Sequence, residues 1–168
     1  MADHCFAPLI NKNARLLILG SYPGISSLEK QEYYAHPTNV FWRIMSEIIG
    51  FDRYSDYPKK TDALSNAGVA LWDVMYNCSR QGSLDSAIKS STIQLNNFDR
   101  FFHNHRDIKA VFFNGKRAEK EFKKRDSWKL YNKERVIDLH GLPSTSPALA
   151  TMNFEMKLRA WRAIEVYL

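Results

Sequence analysis

Cysteine is scarce in this 168-residue chain: only Cys5 and Cys78 occur, with neither a CxxC pair nor a cluster with histidine. That removes zinc ribbons, iron–sulfur sites and a disulfide framework, and neither a metal nor another cofactor is expected. There is no stretch of 18 apolar residues and no charged-then-apolar leader, so neither a helical membrane span nor a signal peptide is expected, and the protein should stay in the cytoplasm. Repeats, low-complexity stretches and linkers are also missing. Residues 1–168 therefore read as one domain, long enough to bury a core without crosslinks. A phosphate-cradling GxxxxGK(S/T) loop is absent too. Asn114-Gly115-Lys116-Arg117 keeps the Gly-Lys step but lacks the upstream glycine and the hydroxyl residue.

What is present is an ordinary globular composition, 45% apolar and 13% aromatic, which argues against disorder. Residues 16–19 form a short uninterrupted apolar run, the length of a strand buried on both faces. It stops at Gly20-Ser21-Tyr22-Pro23-Gly24, which predicts a sharp turn at the strand's carboxyl end, where open α/β sheets bind ligands. Residues 31–39 read as a polar linker. Residues 39–50 then read as an amphipathic helix, with Phe41, Trp42, Ile44, Met45, Ile48 and Ile49 inward and Gly50 as its stop.

Further on, residues 51–60 read as loop, 61–67 as a short helix and 68–74 as a second strand, apolar until Asp73. A loop with a brief helical turn at 85–88 precedes a helix over 98–103. A third strand over 110–113 is broken by Asn114-Gly115, and a helix opens at Lys116. Residues 135–139 form a fourth strand, and 140–148 turn off its end. The last helix runs over 153–167, capped by Asn153, with Phe154, Leu158, Trp161, Ile164 and Val166 as its core stripe. Residues 1–15 are an edge strand or a packed arm. Strands separated by helices predict a three-layer α/β/α domain with a central, mostly parallel four-stranded sheet.

Net charge is +6, with Lys116, Arg117, Lys120, Lys123, Lys124, Arg125, Lys129, Lys133 and Arg135 crowded into one segment. A polyanion partner explains such a surplus. So does a solvated helix face, since Glu119, Glu121 and Asp126 lie among the cations.

Three stretches in order, GSYPG at 20–24, AHPTNVFW at 35–42 and LPSTSPA at 142–148, resemble the uracil-DNA glycosylase superfamily. The second stretch is similar to the AHPxNxFW of the mismatch-specific enzymes, and the whole is most like the hypoxanthine-DNA glycosylase branch. The resemblance spans most of the chain and implies a monomeric, metal-free, monofunctional hydrolase of DNA containing deaminated bases, associated with the nucleoid. Hypoxanthine is the first candidate base and uracil the second. Such an enzyme swings the nucleotide out of the duplex, stacks the base and grips its edge.

By that resemblance Asn39 is the catalytic candidate, although an asparagine before a helix also serves as a cap. Tyr34 takes the position of a stacking aromatic, and Tyr22 stands where the superfamily commonly has a water-positioning Asp or Asn. His36, Asp73 and Asn114 complete the base-binding candidates, Asp73 with a structural pairing to Arg80 as its alternative. Gly24, Ser144, Ser146 and Lys116 are candidates for DNA phosphates. Leu149 and Met152 are either wedges into the base stack or ordinary core. Leu142 stands where uracil glycosylases often carry His or Asn, and this loss of a hydrogen bond favours a purine. No lysine falls inside the three stretches, so no Schiff-base step is expected. A non-catalytic lesion-binding module and a hydrolase of free nucleotides are the alternatives.

Overall fold

A computed structural model describes residues 5–124 and 135–168. In chain order the elements are β1 (Leu16–Gly20), α1 (Ile25–Lys30), α2 (Phe41–Ile49), α3 (Tyr57–Asn66), β2 (Val69–Asp73), β3 (Met75–Asn77), β4 (Gln94–Leu95), α4 (Phe98–Asn104), β5 (Ala110–Asn114), α5 (Lys116–Lys123), β6 (Asp138–Leu142) and α6 (Phe154–Trp161). Short 3-10 turns occupy Asp85–Ala87 and Ser90–Thr92, and another, Arg162–Tyr167, continues α6.

The central sheet has the order β2-β1-β5-β6 and every pairing in it is parallel. Side chains alternate across it with the period of two that a pleated strand imposes. Leu16, Ile18, Leu71 and Phe112 face a cluster built with Phe41, Trp42, Ile44 and Met45 of α2, Leu64 of α3 and Trp161 of α6. Leu17, Leu19, Trp72 and Phe113 face the other way, onto Phe98, Phe101 and Phe102 of α4 and Phe122 of α5. Both faces are covered, which is why β1, β2 and β5 are buried at every position and read as unbroken apolar runs. The expected three-layer α/β/α fold is therefore present. None of the described helices is long and apolar enough to cross a membrane. The arm before β1 bridges the sheet's edge, with Leu9 and Leu71 exchanging both backbone hydrogen bonds at 2.9 Å.

Several expected boundaries move. The fourth strand is Asp138–Leu142, not 135–139: Val136 is 80% exposed, and the register pairs Ala110 with Asp138 through Asn114 with Leu142. An edge strand is only half covered, so the Val-Ile pair that looked like a buried strand precedes it, while His140 joins the sheet by stacking on Phe112 at 4.7 Å. α3 starts at Tyr57, inside what reads as loop, because Asp56 caps it by accepting from the Lys59 amide at 3.2 Å and Pro58 suits a first turn. Helix α1 and the antiparallel β3–β4 pair carry too few apolar residues for a periodic signal. Val166 is 82% exposed and leaves the proposed stripe, since the chain tightens to 3-10 geometry after Trp161.

The basic segment divides. Arg125, Lys129 and Lys133 lie outside the described residues. Arg117 and Lys124 pair with Glu121, and Lys123 pairs with Glu119. Arg135 donates to the carbonyls of Phe102 and His105 at 3.1 and 3.3 Å, so it caps the end of α4.

Candidate active site

Parallel register brings the carboxyl ends of the strands to one edge, and Gly20 sits opposite Asp73 there. A Cβ on Gly20 would lie 2.6 Å from Asp73 Oδ1 and 3.1 Å from the Tyr34 hydroxyl. This glycine is therefore required by close approach. The GSYPG stretch contains no left-handed glycine, and Gly24 has φ −70°. Gly20→Ala should cost about 1–3 kcal/mol in chemical denaturation, because the crowded atoms belong to short, buried groups with nowhere to move.

Tyr34 comes down over this point from the segment before α2, held at φ +55° with its ring stacked on Phe41 at 4.0 Å and 27°. Its hydroxyl is buried and takes up no hydrogen bond among the described residues, although the Asn114 amide lies near enough to favour its ionised form slightly. Burial, and then the charge of Asp73, push its pKa well above the ordinary value. Asp73 is 4% exposed, and its Oδ2 also has no partner among the described residues. Burial first and the neighbouring Asp85 second raise its pKa to about 7, with Arg80 opposing them. Among the described residues Arg80 closes no ion pair: it donates to the Pro23 carbonyl and its guanidinium lies over the Tyr22 ring at 5.2 Å. Asp85, unmarked in the sequence, accepts from the Ser21 hydroxyl at 2.7 Å.

Two loops are tied together above this edge. Asn114 and Thr145 bond reciprocally, side-chain nitrogen to hydroxyl and amide to side-chain oxygen, each at 2.9 Å. The Thr145 carbonyl accepts from the Val40 amide at 3.1 Å, which joins the loop of Asn39 to the loop of Ser144. From behind, Lys157 donates to the Ser146 carbonyl at 3.0 Å and Trp161 to the Pro143 carbonyl at 2.9 Å. Asn39 itself accepts from the Phe41 amide at 3.0 Å in a turn that leads into α2, whose N-cap is Val40 and not the expected Asn39, and its NH2 group is free of any hydrogen bond among the described residues.

A family model described as the Uracil DNA glycosylase superfamily matches residues 7–165. The chain belongs to this superfamily. A hypoxanthine DNA glycosylase of Methanosarcina barkeri is 40% identical over 119 residues, which is 70% of this chain and 74% of that protein. A hypoxanthine DNA glycosylase of Methanosarcina acetivorans is 36% identical over 120 residues, with the same coverage. The solution NMR structure of a candidate uracil DNA glycosylase from Methanosarcina acetivorans superposes with a TM-score of 0.78 at 30% identity, covering 98% of this chain and 97% of that one.

The other candidates of this superfamily member lie in segments that follow the carboxyl ends of β1, β5 and β6. Ser144 packs over Gly115, with its Cβ 3.1 Å from where a glycine side chain would begin. Ser144 and Ser146 accept from the amides of Ser146 and Ala148 at 3.2 Å, so each hydroxyl proton remains available to an anion. Lys116 is exposed at the start of α5. Leu149 and Met152 are half-buried and join none of the hydrophobic clusters, so neither is ordinary core. His36 is exposed and shares its Nδ1 with the Thr38 hydroxyl at 3.0 Å, as a turn residue does. Tyr22 goes elsewhere: it is 9% exposed, packed with Met75 and Ile88, and lines a groove of roughly 660 Å³ with Cys78 and Arg80. Gly24 flanks that groove, and the amide after it is taken by Ser83 at 3.0 Å.

Thr145, Asp85 and Lys157 are the residues that sequence reasoning passed over. Thr145 was visible only as one of three hydroxyls. Lys157 lies one helical turn before Trp161, on the same inner face, and that spacing was the available signal. Asp85 meets Ser21 across 64 residues, and no local pattern reports such a pairing. Among the described residues no group of three or more His, Cys, Asp or Glu forms a metal cage.

Proposed function

We propose that this chain is a monofunctional DNA glycosylase that hydrolyses the N-glycosidic bond of a flipped deaminated base and leaves an abasic site, with hypoxanthine preferred and uracil accepted. The observation that carries this reading is the Thr145 tie, which holds the loops of Asn39 and Ser144 over the unpartnered Tyr34 hydroxyl and Asp73 carboxyl. Buried polar atoms without partners cost about 1–3 kcal/mol each, and an incoming base edge supplies the missing hydrogen bonds. The two Methanosarcina relatives, both hypoxanthine DNA glycosylases, support the choice of base.

In this reading Tyr34 and Asp73 meet the extruded base with Asn114 beside Tyr34, and Asn39 donates from its free NH2 group to charge developing on the base or to the attacking water. Ser144, Ser146 and Lys116 hold phosphates, and Leu149 and Met152 fill the gap in the stack. Leu142 sits in the core and gives uracil no hydrogen bond, which fits a larger purine.

Duplex oligonucleotides carrying deoxyinosine, deoxyuridine or neither should be incubated with excess protein and heated in alkali. Strand breaks at deoxyinosine, fewer at deoxyuridine and none in the control are expected. Intact strands throughout would overturn the reading.

A further inference from the structure

Resting on that reading, we propose that Asp73 is the proton donor to the departing purine, presenting its carboxyl group at the end of β2 where the base edge enters. Asp73 is buried at the end of β2, its Oδ1 fills the space left by the missing side chain of Gly20, and its Oδ2 has no partner. The groups facing it from the surrounding elements are Cys5 of the arm, Tyr33 and Tyr34 before α2, Tyr57 of α3, Asp85 and Arg80. The thiol and the three phenols are pushed toward their neutral forms, chiefly by burial. That leaves one like charge against one cation that is engaged elsewhere, so the neutral acid is favoured at Asp73. Asp85 is pushed up as well, by burial first, with the Ser21 hydroxyl at 2.7 Å and the charges of Arg80 and Arg117 opposing that shift.

The step balances as follows. The bond between C1′ of the sugar and N9 of hypoxanthine breaks, and its electron pair leaves with the purine. The Asp73 proton moves to N7, so the base departs neutral. The cationic sugar is favoured by the DNA phosphates. A water oxygen then bonds to C1′, and the proton it releases returns to Asp73.

The test is single-turnover excision from deoxyinosine duplexes between about pH 5.5 and 9. The rate should fall tenfold per unit above about pH 7, as Asp73 ionises. Asp73→Asn, its folding verified by thermal unfolding, should lose at least about 100-fold and flatten the profile. Asp85→Asn should move the fall to lower pH, because a neutral neighbour lowers the pKa of Asp73; a purely structural role would not move it. On 7-deazadeoxyinosine, which has no N7 to protonate, Asp73→Asn should change the rate less than about threefold. A rate flat through pH 8.5, or an Asp73→Asn enzyme within about threefold of the parent on deoxyinosine, overturns the proposal and leaves the glycosylase reading intact. No excision of any base at any pH overturns the glycosylase reading, and the proposal with it.

Discussion

Asn39→Ala should lower single-turnover excision of hypoxanthine by about 10²- to 10³-fold while lowering stability by only about 1 kcal/mol. The two numbers separate because one side chain has two ends. Its oxygen accepts from the Phe41 amide and steadies the turn into α2, a contribution the size of one ordinary hydrogen bond. Its NH2 group has no such structural task, and a preorganised donor aimed at developing charge is worth far more in a water-poor site than on the surface. Asn39→Asp tests the division. The carboxylate still accepts from Phe41, at a helix amino end that favours negative charge, so thermal stability should stay within a few tenths of a kcal/mol of the parent. The donors are gone, and the rate should fall as far as in the alanine variant. A stable, fully active Asn39→Asp would assign catalysis to the oxygen of the side chain instead.

The sequence made some of this legible and hid the rest for physical reasons. Strands β1, β2 and β5 were visible because a doubly covered parallel strand must be apolar at every position. The edge strand β6 was displaced in the reading because only one flank is paired, so polar Asp138, His140 and Gly141 carry it. Asn39 and Tyr34 stand in one motif, yet what joins the loop of Asn39 to that of Ser144 is Thr145, whose partners are 31 residues away at Asn114 and across the fold at Val40. Gly20 looked like a turn glycine and is a close-approach glycine, a distinction that depends on where Asp73 ends up. Tyr22, inside the first motif, turned away from the central group because Met75 and Ile88 offer its ring an apolar seat under Arg80. Local patterns fix elements well; contacts between strand ends far apart in the chain are set by the sheet order, which no single stretch encodes.

Asp73→Asn should make the folded protein more stable in alkali and no more stable in acid. In the unfolded chain an aspartate titrates near 3.9, whereas in the fold this carboxyl holds its proton up to about 7. The folded state therefore binds the extra proton, and the stability this contributes is complete below about pH 4 and is lost as the pH rises to about 7. Above that range the buried, unpartnered carboxylate is a standing penalty of about 2–4 kcal/mol, the upper figure following from roughly three units at about 1.4 kcal/mol each. An uncharged isostere escapes the penalty, so the variant should unfold roughly 5–15 °C higher than the parent at pH 8, with the gap closing toward pH 4. Thermal unfolding at the two pH values checks this, and an equal gap at both would mean that asparagine merely packs better. A widening gap would show that the native residue is kept at a cost to the fold, which is expected where a proton must be held at neutral pH inside an apolar edge.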